Sequence, residues 1–125
     1  LENRLISIPS DISISKPELS LPFIYIKTDR QYVKVLLDDI LYIESLKNHV
    51  KIVTAEKNYL TLQSISQMES KLSDERFLRI HRSYLVAHSK VEAFSNSNLT
   101  VGGKLLPIGR MYKKAVLERL SVNLI

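Results

Sequence analysis

The chain of 125 residues contains no cysteine. Disulfides, thiolate chemistry and cysteine-ligated zinc are therefore excluded, and a cytoplasmic, reducing location is expected. Glycine is scarce: Gly102, Gly103 and Gly109 form no phosphate-cradling loop, and no Gly-x-Ser-x-Gly occurs. Histidine is limited to His49, His81 and His88, without His-x-His or His-Glu-x-x-His spacing, so neither a metal nor a cofactor is expected. No apolar run approaches the roughly 20 residues that a membrane helix needs, and no membrane contact is expected. The aromatics are six tyrosines and three phenylalanines, mostly at core-parity positions, a poor stacking platform for single-stranded nucleic acid. Acids are missing from one long span. Between Arg76 and Lys114 stand Arg79, Arg82, Lys90, Lys104, Arg110 and Lys113, with Glu92 the only acid.

What is present suits one domain with a real core. The apolar share is 45% and the charged share 25%, ordinary for a globular protein. The net charge of +5 is a mild basic excess, and its one-signed C-terminal half is what a footprint on nucleic acid looks like. A solvated basic surface is the blander reading. The first residues, Leu-Glu-Asn-Arg, carry no signal peptide, and a fragment of a longer protein is the simplest expectation.

Residues 1–22, punctuated by Pro9, Pro17 and Pro22, fit an interdomain linker or a leading edge strand, and residues 23–125 the folded domain. From Phe23 the pattern is strongly β. Strands are predicted over Phe23–Thr28, Gln31–Leu37, Ile40–Ser45, Val50–Thr54 and Tyr59–Leu62, with turns at Asp29-Arg30, Lys47-Asn48-His49 and Glu56-Lys57-Asn58. Ile65, Met68 and Leu72 then share one face of a short helix, capped by Ser64 or Ser66 and ended by Ser73-Asp74-Glu75. Phe77 to Val86 alternates as a strand but is broken in the middle by Arg79, His81, Arg82 and Ser83. Further strands follow at Val91–Ser95, Leu99–Val101 and Lys104–Ile108, with a hairpin turn at Gly102-Gly103. Met111–Leu120 is helical by spacing. The fold class is mostly β, built from short hairpins.

Three polar segments recur between apolar strands: Lys47-Asn48-His49, Arg79 with His81-Arg82-Ser83, and Gly109-Arg110 followed by Lys113-Lys114. Arginine bonds guanine bidentately and asparagine bonds adenine likewise. Lysine, serine and helix-start amides suit phosphates. Each segment alone is weak, because polar loops usually face water. An enzyme has no positive support: no serine is singled out for a triad, and Asp38-Asp39 fits a turn or cap. A β-rich protein-interaction module with an acidic partner protein is the alternative reading.

From about Phe23 to Leu120 the chain resembles the LytTR DNA-binding domain of LytR/AlgR-class bacterial response regulators. The resemblance rests on Asp39-Ile40-Leu41-Tyr42-Ile43-Glu44, Asn48-His49-Val50-Lys51-Ile52, Phe77-Leu78-Arg79-Ile80-His81-Arg82-Ser83-Tyr84-Leu85-Val86 and Leu106-Pro107-Ile108-Gly109-Arg110 with Lys113-Lys114. It implies an elongated antiparallel β fold of about ten short strands in stacked small sheets, with one or two short helices. It also implies loops docked into successive major grooves of double-stranded DNA. Base contacts then fall on Asn48 or His49, on Arg82 and on Arg110. Backbone contacts fall on Lys47, Lys51, Arg79, Ser83, Lys104, Lys113 and Lys114. His81 is either a structural partner of its loop or a DNA contact. An upstream receiver domain, direct repeats in promoters and a homodimer on DNA complete what the resemblance implies.

Overall fold

The computed structural model describes residues 21–72 and 75–125. Most of the segment expected as a linker or edge strand lies outside these residues, as do Ser73 and Asp74. The described residues fold into ten strands in three small antiparallel sheets.

The first sheet is a hairpin of β1 (Phe23–Thr28) and β2 (Gln31–Leu36). Asp29 and Arg30 turn between them with φ of 50° and 67°. Two left-handed residues are what a tight hairpin link needs to match strand twist. The register sets Ile24 opposite Val35 and Ile26 opposite Val33, so one face is apolar. Tyr25 and Tyr32 fall on the other face and are exposed. Leu37 leaves the strand for a 3-10 turn, Leu37–Asp39, which absorbs the Asp38-Asp39 interruption.

The central sheet holds β3 (Ile40–Leu46), β4 (His49–Thr54), β5 (Asn58–Thr61), β6 (Phe77–His81) and β7 (Tyr84–Ala87), in the order β5-β4-β3-β7-β6. The alternating stretch from Phe77 is thus two strands, with Arg82 and Ser83 linking the paired His81 and Tyr84. His49 belongs to β4, opposite Leu46, which leaves Lys47-Asn48 as the link. Helix α1 (Ile65–Lys71) joins β5 to β6. Ser64, not Ser66, caps it in a capping box with Gln67. The third sheet, ordered β10-β9-β8, comprises β8 (Val91–Phe94), β9 (Asn98–Val101) and β10 (Lys104–Pro107). A 3-10 turn, Arg110–Tyr112, leads into α2 (Lys113–Leu120).

Both faces of the central sheet are covered. Ile43, Ile52, Phe77 and Leu85 pack with the first hairpin's Ile26 and Val35 and with Ile65 and Met68 of α1. Tyr42, Leu78, Ile80 and Val86 pack with Leu99, Val101 and Leu106 of the third sheet and with Val116 and Leu120 of α2. Two register irregularities make this sorting possible. One lies in β3 between Ile40 and Tyr42, and one in β6 between Arg79 and His81. Each adds a residue and reverses the strict two-residue alternation of faces. Ile40 and Ile43 therefore share a core although three positions apart.

Candidate nucleic-acid interface

Strand order decides which turns meet. β3 and β7 are antiparallel neighbours, so the turn after β3 and the turn before β7 lie at one end of the sheet. The Ser45 amide donates to the Ser83 carbonyl at 2.8 Å and ties these two turns together. The Gly109 amide donates to the Ile80 carbonyl at 2.7 Å, which holds the β10–α2 link against β6 near the same end. A Cβ on Gly109 would meet the Tyr112 ring at 3.3 Å and the His81 ring at 3.4 Å, so glycine permits this close approach. Three polar segments distant in sequence thus form one row. Neighbouring hairpin turns in a sheet lie about 10 Å apart, two strand spacings, and the Gly109 link continues the row beside β6.

Asn48 is exposed and His49 half-buried. The His49 Nδ1–H donates to Asn48 Oδ1 at 2.9 Å. The contact leaves the Asn48 amide nitrogen available as a donor. The contact links the two side chains. Arg82 and Arg110 are exposed, as are Lys47, Lys104, Lys113 and Lys114, while Ser83 is half-buried. Lys51 forms an ion pair with Glu44 at 3.4 Å, directly across the β3–β4 ladder. Lys104 opens β10 near enough to Tyr84 for its charge to act on the phenol. Burial, and after it the Glu44 carboxylate, nevertheless raises the Tyr84 pKa above the ordinary value. Lys113 and Lys114 stand in the first turn of α2, where there is no acid. Cations at a helix N-terminus oppose its dipole, a cost that a bound anion removes.

Arg79 is turned inward. Its Nε donates to the His81 carbonyl at 2.7 Å and its Nη2 to the Arg82 carbonyl at 2.8 Å. Its Nη1 meets Glu69 Oε1 of α1 at 2.6 Å, with the Arg79 side chain only 11% exposed. The guanidinium also lies 5.6 Å from the Tyr112 ring centre. One side chain thus joins the β6–β7 turn, α1 and the start of the last helix. His81 Nδ1 accepts the Ser83 amide proton at 3.0 Å, and its ring packs 5.5 Å from Tyr84. Burial, then the Arg82 and Arg79 charges, lowers the His81 pKa. The imidazole is therefore held neutral, the form that can accept this bond.

The structure brings a further turn to this end. Asp29 and Arg30 of the first hairpin line a cleft with His49 and Gln63. Local sequence identifies that turn but not its neighbours, since the hairpin lies along β5 through tertiary packing. A larger open cleft of about 1160 Å³ is lined by Asp38, Glu75 and Glu92 with Arg76 and His88, and its acids lie away from the row of turns. Among the described residues, no group of three or more histidine or acidic side chains converges as a metal site. No helix among them is long and apolar enough to cross a membrane.

Arginines, lysines and amides on clustered turns of a rigid β scaffold define a module that binds polyanions. A family model described as the LytTr DNA-binding domain matches residues 30–121. The chain belongs to the LytTR family of DNA-binding domains. It is 25% identical over 119 residues to the sensory transduction protein LytT of Bacillus cereus, covering 90% of this chain and 46% of that protein. It is 32% identical over 78 residues to the CO-responsive transcriptional regulator RcoM of Rhodospirillum rubrum, covering 57% and 33% respectively. The chain thus spans less than half the length of these curated relatives. A solved LytTr DNA-binding domain from Bacillus cereus matches with a TM-score of 0.67 at 21% identity, covering 78% of this chain and 95% of that one. That likeness shows the fold.

Proposed function

We propose that the row of turns docks on duplex DNA and reads its sequence as the output domain of a transcriptional regulator. Arg82, Arg110 and the Asn48–His49 pair contact base edges. Lys47, Lys104, Lys113 and Lys114 contact phosphates, with Ser83 beside them and Lys51 balanced by Glu44. Arg79 holds the Arg82 turn in place rather than meeting a phosphate, because its donors already point to His81, Arg82 and Glu69. The observation that carries this reading is the pair of backbone bonds, Ser45 to Ser83 and Gly109 to Ile80, that aligns all three segments. An upstream receiver domain would occupy part of the length of LytT that this chain leaves uncovered, and paired direct repeats with a dimer on DNA complete the proposal.

Gel-shift titration against a random duplex pool at two salt concentrations tests the reading. Affinity should fall steeply with salt and one motif should be enriched. Binding to an acidic protein with no DNA retardation would instead support the interaction module.

A further inference from the structure

The first hairpin is not used by the three-segment reading, yet its turn reaches the same end of the molecule. A cleft of about 770 Å³ runs between this hairpin and β5, the edge strand of the central sheet. Lys27 and Arg30 line it from the hairpin, His49 and Gln63 from the sheet end, and Lys57 from the start of β5. Three cations there face one acid, Asp29, the neighbour of Arg30 in the turn. Lys71 of α1 adds a fourth cation through its 3.0 Å bond to Gln63 Oε1.

Lys27, Arg30 and Lys57 are exposed and make no ion pair among the described residues. Lys27 lies 5.9 Å from the Tyr32 ring centre and Lys57 5.1 Å from that of Tyr59. Arg30 is exposed and held at a φ of 67°, a conformation an arginine rarely adopts. The turn geometry thus fixes where its guanidinium starts. In contrast, Arg79, nearer the centre of the row, has all three of its guanidinium nitrogens bonded to protein partners. His49 belongs both to this cleft and to the base-reading row, so the two surfaces are continuous.

We propose that the His49 end of this cleft is a phosphate-binding site that lengthens the DNA footprint past His49, with Arg30 as its principal contact and Lys27 as its electrostatic support. The proposal rests on the DNA-reading assignment above. A backbone phosphate is the anion expected there, because a duplex seated on the row continues beyond its His49 end. No base reading is assigned to the cleft, so its contribution is independent of sequence.

The test uses a duplex recovered by selection from a random pool. It is prepared once trimmed near the base pair whose preference His49→Ala relaxes, and once extended past it by about ten base pairs, one helical turn. The wild-type chain should bind the extended duplex several-fold more tightly and protect phosphates on that flank from hydroxyl radicals. Arg30→Asn keeps a residue that tolerates positive φ, and it should lose both the gain and the flank protection. Its salt slope on the extended duplex should fall by about one unit. Arg30→Lys should keep part of the gain. Equal affinity of wild type for both duplexes, or an unchanged flank footprint in Arg30→Asn, overturns the proposal. Arg82→Ala separates the two levels. If it relaxes base preference while Arg30→Asn is silent, the cleft alone is refuted; if both are silent, the DNA-reading assignment falls as well.

Discussion

Arg79 shows how a single residue sets the site without facing it. Three of its nitrogens bond within the protein, two of them to carbonyls of the turn that presents Arg82. Removing it leaves those carbonyls and Glu69 without their donor. Arg79→Gln should cost on the order of 2 kcal/mol in denaturant unfolding and should blur discrimination by Arg82. Arg79→Lys should not rescue it, because an ammonium cannot reproduce the planar fork. Arg82→Ala and Arg110→Ala should each cost about 1–3 kcal/mol of binding and relax preference at one base pair while folding normally. His81 gives the domain a pH dependence. Its pKa in the folded state lies below the ordinary imidazole value of about 6.5, so the unfolded chain takes up the proton more readily. This contribution is complete above that value and is lost as pH falls beneath it. Protonation also removes the Nδ1 acceptor that binds the Ser83 amide. Between about pH 7.5 and about pH 5.5 the thermal midpoint of wild type should drop further than that of His81→Gln. Equal drops would show that His81 is not the titrating group.

At the scale of elements, local chemistry is enough in some places and not in others. The capping box of α1 is a local device, and Ser64→Ala should cost about 1 kcal/mol in unfolding experiments. Gly102 is fixed both by its φ of 59° and by Leu41 Cδ1, which would lie 2.8 Å from an added Cβ. Such features are legible in sequence: the Gly102-Gly103 turn, the Ile65-Met68-Leu72 spacing and the alternation of the hairpin strands all appear in the structure within a residue or two. The bulges in β3 and β6 are not legible. Each adds one residue whose placement depends on the partner strand, and each moves side chains to the opposite face. His81 is the clearest case. Simple alternation sets it on the face of Arg79, whereas the bulge turns its ring toward Tyr84. The site was legible as residue types on three segments, and the family resemblance supplied their roles. The inward turn of Arg79 was not legible, because it depends on Glu69 ten residues away and on Tyr112 in another element. The meeting of Arg30 with His49 also depends on tertiary packing, since no local signal lays the first hairpin along β5.

The whole molecule joins two cores through one sheet, one core on each face. Turn positions at the end of that sheet are therefore fixed by strands buried on both sides, and their relative geometry is set before any ligand arrives. Charge follows the same plan. The row of turns carries Arg82, Arg110, Lys113 and Lys114, whereas Asp38, Glu75 and Glu92 gather around the larger cleft. Lys113→Ala should weaken binding to every sequence alike and lower the salt slope by about one unit, without changing the motif. The most direct measurement of the central claim is selection of bound duplexes from a random pool by wild type and by Arg82→Ala, read by sequencing. A DNA-reading row of turns predicts one enriched motif for wild type and lost discrimination at a single base pair in the variant. An unenriched pool, or the same motif from both proteins, would contradict it.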